Sequence, residues 1–267
     1  MSASVREPAV AGLFYPAEPE VLRHMVEDFL SDAPTAGMLP KAIIVPHAGY
    51  IYSGPVAASV YARLAANNKL IRRVVLLGPS HRVAFKGLAA PSVLQFRTPL
   101  GIIPIDRGAV EKLDGMKQVI MLDEAHAEEH SLEVQLPFLQ LLLEDFELIP
   151  LVVGDASGEA VAEVLERLWG GPETLIVISS DLSHYHDYLT AKQMDQATSE
   201  AIASLHPEKL GYEDACGRIP VKGLLLQAKR LGLKAEIVDL RNSGDTAGDK
   251  NRVVGYGAYA FSTQGEL

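Results

Sequence analysis

The chain has 267 residues, a formal net charge of −10 at pH 7, eight His and one Cys. A single Cys excludes an internal disulfide framework and a Cys-only metal site. The acidic balance speaks against nucleic acid or an anionic membrane as partner, since both select a basic face.

With 48% hydrophobic and 22% charged residues, the composition is that of an ordinary globular protein. One domain over 1–267 is the simplest expectation, although the length is large for one. The opening stretch MSASVREPAVAGLFYPAEPE has no apolar run of signal-peptide length. The longest apolar runs are too short to span a bilayer, so a cytoplasmic protein is expected.

Short apolar runs of β type fall at Ala42–Val45, Val74–Leu77, Leu148–Val153, Leu175–Ile178, Ala235–Val238 and Val253–Phe261. Between them lie stretches that predict helices over Glu18–Leu30, Pro55–Ala66, Ser131–Glu144, Gly158–Trp169, Leu189–Leu205 and Val221–Leu231. This alternation predicts an α/β fold, a mainly parallel or mixed central sheet flanked by helices. Lys86–Ile105, with several Pro residues, reads as a hairpin excursion or a locally antiparallel part. Pro137 predicts either a kink in the 131–144 helix or a later start.

Polar residues follow the buried runs. The first ends in His47, the second in Pro79, Ser80 and His81, the third in Asp155, and the fourth in Asp181 with His184 and His186 behind it. Open α/β sheets bind ligands beyond the carboxyl ends of their strands, so His47, His81 and Asp181–His184 can converge on one crevice. Each also has a plainer reading: His47 and His81 as turn or cap residues, Asp181 as a helix N-cap. In EAHAEEHSLEVQ, His126 and His130 are four apart and His130 and Glu133 three apart, spacings that share a helix face. Ser131 is the alternative start of that helix, which leaves His126 in a solvated loop, and an amphipathic helix would turn Glu133 outward. In DLRNSGDTAGDKNR, Asp245 and Asp249 suit Asx-turns. Alternatively Asp245 reaches the crevice and completes a two-His, one-carboxylate metal set with His47 and His81, an arrangement that suits non-haem Fe(II). Cys216 reads as a small buried hydrophobe or, less commonly, a thiol beside the site. No GxGxxG, P-loop or GxSxG motif occurs.

At these residues the sequence resembles the Memo family, proteins encoded alongside or fused to radical-SAM partners in many prokaryotes as the AmmeMemoRadiSam system. The matching stretches are REPAVAGLFYPA, VPHAGYIYSG, LGPSH, EEHSLEVQLPFL, SSDLSHY, CGRIP and NSGDTAGD, in this order over nearly the whole chain. The resemblance implies a fold similar to that of class III extradiol dioxygenases, which are non-haem Fe(II) enzymes. It implies a metal-capable pocket using His47 and His81, with Asp181 and His184 nearby and His130 in the pocket. Animal relatives carry a metal-binding Cys in the C-terminal motif; here Asp245 or Thr246 stands at roughly that place.

Three functions are in competition. The first is a metal-dependent, dioxygenase-like oxidoreductase with His47, His81 and Asp245 as ligands and His130, His184 and Asp181 as catalytic groups. Its metal would be Fe(II), with copper or zinc as alternatives, because imidazole suits all three. The second is an adaptor that binds a peptide or protein partner rather than a small molecule. An anionic phosphopeptide is awkward for a chain of charge −10 unless Arg72, Arg73 and Arg218 form a local basic patch. The third, implied by family context alone, is an accessory component that associates with a radical-SAM protein.

Overall fold

The structure is a computed structural model that describes residues 4–263. Its strands are β1 Val5–Arg6, β2 Ala42–Val45, β3 Arg73–Pro79, β4 Leu88–Ala90, β5 Gln95–Thr98, β6 Gly101–Pro104, β7 Val119–Met121, β8 Glu147–Val153, β9 Thr174–Ser179, β10 His184–His186, β11 Lys234–Asn242 and β12 Val253–Ser262. Its helices are α1 Pro19–Asp32, α2 Tyr50–Tyr61, α3 Arg107–Glu111, α4 Glu124–Ala127, α5 His130–Glu133, α6 Leu136–Leu142, α7 Gly158–Leu168, α8 Tyr188–Ala203 and α9 Arg218–Arg230.

The four apolar runs at 42–45, 74–77, 148–153 and 175–178 form the middle of a mixed sheet. They lie side by side in the order β2, β9, β3, β8, all parallel. Every residue of β2 and β9 is buried, which is why these runs are continuously apolar rather than alternating. Antiparallel strands close both flanks: β12 beside β2, with β11 and β10 against β12, and β4 beside β8 with β7 outside it. The 86–105 stretch fulfils both expectations for it. β4 runs antiparallel to β8, while β5 and β6 form an antiparallel hairpin in a separate small sheet with β1.

Helices flank the sheet in two groups. α1 packs on α2 and α6, and α7 packs on α9, which lies over β3 and β9. Among the described residues no helix is long and apolar enough to cross a membrane.

Three differences from the sequence reading have a clear physical reading. The helix expected from Pro55 begins at Tyr50, and Pro55 lies inside it. The strand expected over 235–238 runs from Lys234 to Asn242, because β12 offers a ladder along its whole length. The helix expected over 131–144 is two short ones, α5 and α6, with Pro137 in the first turn of α6, where its missing N–H costs nothing.

Candidate metal centre

Parallel pairing brings Val45 opposite Ser179 and Pro79 opposite Val153, so β2, β9, β3 and β8 end together at one edge. The residues just past these ends are His47, Asp181 and His81. They line a cavity of about 620 Å³ together with His130, His184 and residues of the C-terminal segment such as Arg252 and Tyr256. The ring centroids are 5.2 Å apart for His47 and His81, 4.5 Å for His81 and His130, and 5.4 Å for His47 and His130. The structure thus brings His47, His81, Asp181 and His184, which follow strand ends, into one cavity with His130, which the resemblance placed there.

His47 is 2% exposed and its tautomer follows from its neighbours. The Ser179 hydroxyl donates its one proton to Ser131 O at 2.6 Å and accepts from Gln135 Nε2 at 2.8 Å. It can then only accept from His47 Nδ1, 2.9 Å away, so that nitrogen carries the proton and Nε2 is a bare lone pair. Burial and the neighbouring His81 push the His47 imidazole down to about 3, which keeps it neutral. The His47 backbone N–H donates to Asp181 Oδ1 at 2.7 Å. Burial raises the Asp181 carboxyl above its ordinary value, against the lowering effect of that hydrogen bond.

His81 is fixed in the same way by Glu129. One carboxylate oxygen accepts from His81 N at 2.6 Å, and the other faces His81 Nδ1 at 2.9 Å and accepts from Ser131 N at 2.9 Å. A carboxylate only accepts, so Nδ1 donates and the free lone pair of a neutral His81 is again Nε2. Burial alone would push the Glu129 carboxyl up, but the His81 side-chain hydrogen bond and charge outweigh it and hold it at about 2. Glu129 is thus the N-cap of α5, the place the sequence reading offered to Ser131.

His130 stacks between His81 and Phe14, and burial pushes it down to about 4. Its Nδ1 is 3.4 Å from Glu129 Oε1.

The loop that carries Glu129 and His130 is held from below by Arg6. That guanidinium pairs with the carboxylate of Glu133 and donates to His126 O at 3.0 Å and Glu129 O at 2.8 Å. Glu133 is 0% exposed rather than turned to solvent. It also accepts from Ala9 N, Val10 N and the Tyr15 hydroxyl, which joins the first motif of the chain to the fourth. His126 is not a solvated loop residue. It is buried with Nε2 3.0 Å from Ala89 O, and Glu129 separates its helix from that of His130, so the two do not form a helical pair.

For two residues the structure selects between their sequence readings. Asp245 is not brought to the imidazoles. Its carboxylate closes a capping box at the 243–245 turn, accepting from Asn242 N at 3.0 Å and from the Tyr188 hydroxyl at 2.7 Å. Cys216 is beside the site, with Sγ 3.2 Å from His47 Nε2. Burial pushes its thiol up to about 12, and the Asp181 carboxylate adds to the rise. The start of α9 can come this close because Gly217 lacks a side chain: a Cβ there would sit 2.6 Å from the Ser180 Cβ. Glu129 and Ser179 were not identified as functional from the sequence, and Cys216 only as the less common of its two readings. The available signal was their placement within the EEHS, SSDLSHY and CGRIP stretches.

Among the described residues, two clusters could hold a metal ion: His47, His81 and Cys216, and His81, Glu129 and His130. In each the ligand atoms all lie within 4.8 Å of one another.

Residues 6–260 match the family described as Memo-like protein. A MEMO1 family protein of Aquifex aeolicus is 40% identical over 267 residues, covering 94% of this chain and 97% of its own. One of Nitrosopumilus maritimus is 34% identical over 280, covering 96% and 99%. Among solved structures, an uncharacterized protein from Escherichia coli K12 aligns with a TM-score of 0.53 at 12% identity, over 82% of this chain and 98% of that one, a likeness of fold.

Proposed function

The chain belongs to the Memo family, and from that membership and the pocket's chemistry we propose that it is a metal-dependent, dioxygenase-like oxidoreductase with His47 and His81 as the imidazole ligands. One observation carries this reading. Both rings have Nδ1 committed to a fixed acceptor, Ser179 and Glu129, so both present Nε2 lone pairs at the same edge of the sheet. Metal-binding His residues characteristically give their second nitrogen to such a partner, which sets the tautomer and raises basicity.

A bound Fe(II), or copper or zinc in its place, supplies Lewis-acid activation of a ligand oxygen. The chain's own groups do the rest. Ser179 and Glu129 hold the two rings in one tautomer, and Asp181 pins the His47 backbone. His130 is neutral at pH 7 and lines the same cavity, so it is the group to take a proton from a bound hydroxyl. The proton it gains is stabilised by Glu129, 3.4 Å from Nδ1. His184 and Asp181 are the further acid–base groups of the cavity wall.

The test is elemental analysis of protein purified without oxygen or chelators, together with oxygen uptake on small dihydroxy-aromatic compounds. Near-stoichiometric metal that disappears in both His47→Ala and His81→Ala, with uptake lost in parallel, is the expected result. Metal content unchanged in both variants would overturn the reading.

A further inference from the structure

A further cavity, of about 460 Å³, opens at the opposite edge of the sheet, where β2, β9 and β3 begin. Its wall is mainly apolar, formed by Pro40, Ile71, Trp169, Pro172, Leu231 and Leu233. That volume lies within the range of about 300–1,000 Å³ typical of small-molecule pockets, which combine such walls with a few polar groups. Lys41, the residue before β2, is the one charged side chain among the described lining residues. Its ammonium donates to Trp169 O at 2.7 Å, Gly171 O at 2.7 Å and Thr174 O at 2.6 Å, and stands 5.5 Å from the centroid of the Trp169 ring. All three acceptors are neutral. Glu173, in the same loop, turns its carboxylate to Gly171 N and the Thr174 hydroxyl and is 3.8 Å from Arg73. No carboxylate of the described residues comes within 4.0 Å of the Lys41 nitrogen.

Burying a charge is costly unless an opposite charge meets it, and carbonyl dipoles meet it only in part. Burial accordingly pushes the Lys41 amine down to about 8 from an ordinary 10.5, which still leaves it charged at pH 7. We infer that this cavity binds a medium-chain monocarboxylate, with its carboxylate on the Lys41 ammonium and its hydrocarbon tail against Trp169, Ile71 and the two leucines. Of the three carbonyl bonds, the one to Gly171 O is solvent-exposed. A carboxylate that takes over this N–H leaves the Gly171 carbonyl to water, while the bonds to Trp169 O and Thr174 O keep the ammonium in place. The wall offers one cation, which matches one carboxylate. A phosphate would bring a second charge with no partner. The site is separate from the imidazole pocket, which lies past the other ends of the same strands, and it does not rest on the metal-dependent reading.

Trp169 is the only tryptophan in the sequence, so its emission reports on this cavity directly. The experiment titrates the full-length chain at pH 7 with octanoate and, separately, with octan-1-ol, followed by tryptophan fluorescence and calorimetry. Octanoate is expected to change the emission saturably, with one equivalent bound. It should bind at least about tenfold more tightly than the alcohol, the fold-change of a charge-assisted hydrogen bond of about 1.5 kcal/mol. Each CH2 removed, down to hexanoate, should weaken binding about fourfold, as about 0.8 kcal/mol per buried CH2 requires. Lys41→Met keeps an apolar stem and drops the ammonium, and is expected to bind acid and alcohol alike. Should that variant fail to fold, the ratio of acid to alcohol affinity in the unaltered chain decides alone. An emission that does not respond to octanoate, or an alcohol bound as tightly as the acid, would overturn the proposal. So would binding that vanishes in a His47→Ala, His81→Ala double variant with native circular dichroism, because the acid would then occupy the imidazole pocket.

Discussion

Single side chains in this pocket act mainly by fixing the protonation of one another. Glu129 is the clearest case, because its buried carboxylate accepts three N–H groups, two of them from His81. Hydrogen bonds to a charged acceptor contribute about 1.5–3 kcal/mol, so Glu129→Gln should lower stability at pH 7 by roughly that amount. The pH dependence has a definite sign. Glu129 sits at about 2 in the folded chain against an ordinary value of 4.5. Its contribution is therefore fully present above 4.5 and is lost as pH falls through the folded value. Urea unfolding of the two proteins from pH 7 down to pH 3 should show a gap that is constant above about pH 5 and narrows below it. A gap that widens on acidification would mean that the carboxylate is not held by these bonds.

At the scale of elements, the site depends on how closely α9 and its neighbours approach the sheet. Gly217 lets the start of α9 reach Ser180, and six residues on Gly223 lets the same helix lie against α7. A Cβ at 223 would be 2.3 Å from Val161 Cγ1 and 3.2 Å from the Ala162 nitrogen. Gly223→Ala would gain about 1 kcal/mol of helix propensity, yet overpacking of this kind costs typically 1–3 kcal/mol. The expected net result is a loss of stability by denaturant titration. A stabilised variant would show that α7 and α9 are not in this contact. The sequence makes the strands legible because continuous apolar runs report burial on both faces, and Pro137 marks a break near α6. It does not show that α5 ends after one turn, nor that Glu133 points inward. Those outcomes depend on Arg6, more than a hundred positions away, whose guanidinium neutralises the buried carboxylate.

For the molecule as a whole, the legible part of the site is the part that topology dictates. Parallel strands gather their ends, so His47, His81 and Asp181 could be read as neighbours from the runs preceding them. Cys216 and Asp245 could not be ranked, because the approach of α9 and the closing of the 243–245 turn are set by packing rather than by local pattern. The proposed ligands His47 and His81 thus come from segments after β2 and after β3, and neither can be positioned until β2, β9 and β3 are side by side. A metal bound there recognises only the assembled sheet. Free metal at a hundred times its dissociation constant should then add about 2.7 kcal/mol. At about 2.1 cal/mol/K of unfolding entropy per residue, this raises the melting temperature of a chain this long by roughly 5 °C. Calorimetry should show one transition that moves upward as a whole, and no shift in a His47→Ala, His81→Ala double variant. Two transitions of which only one responded to metal would place the ligands on a unit that folds apart from the rest of the chain. A shift that survived in the double variant would place the metal at some other site.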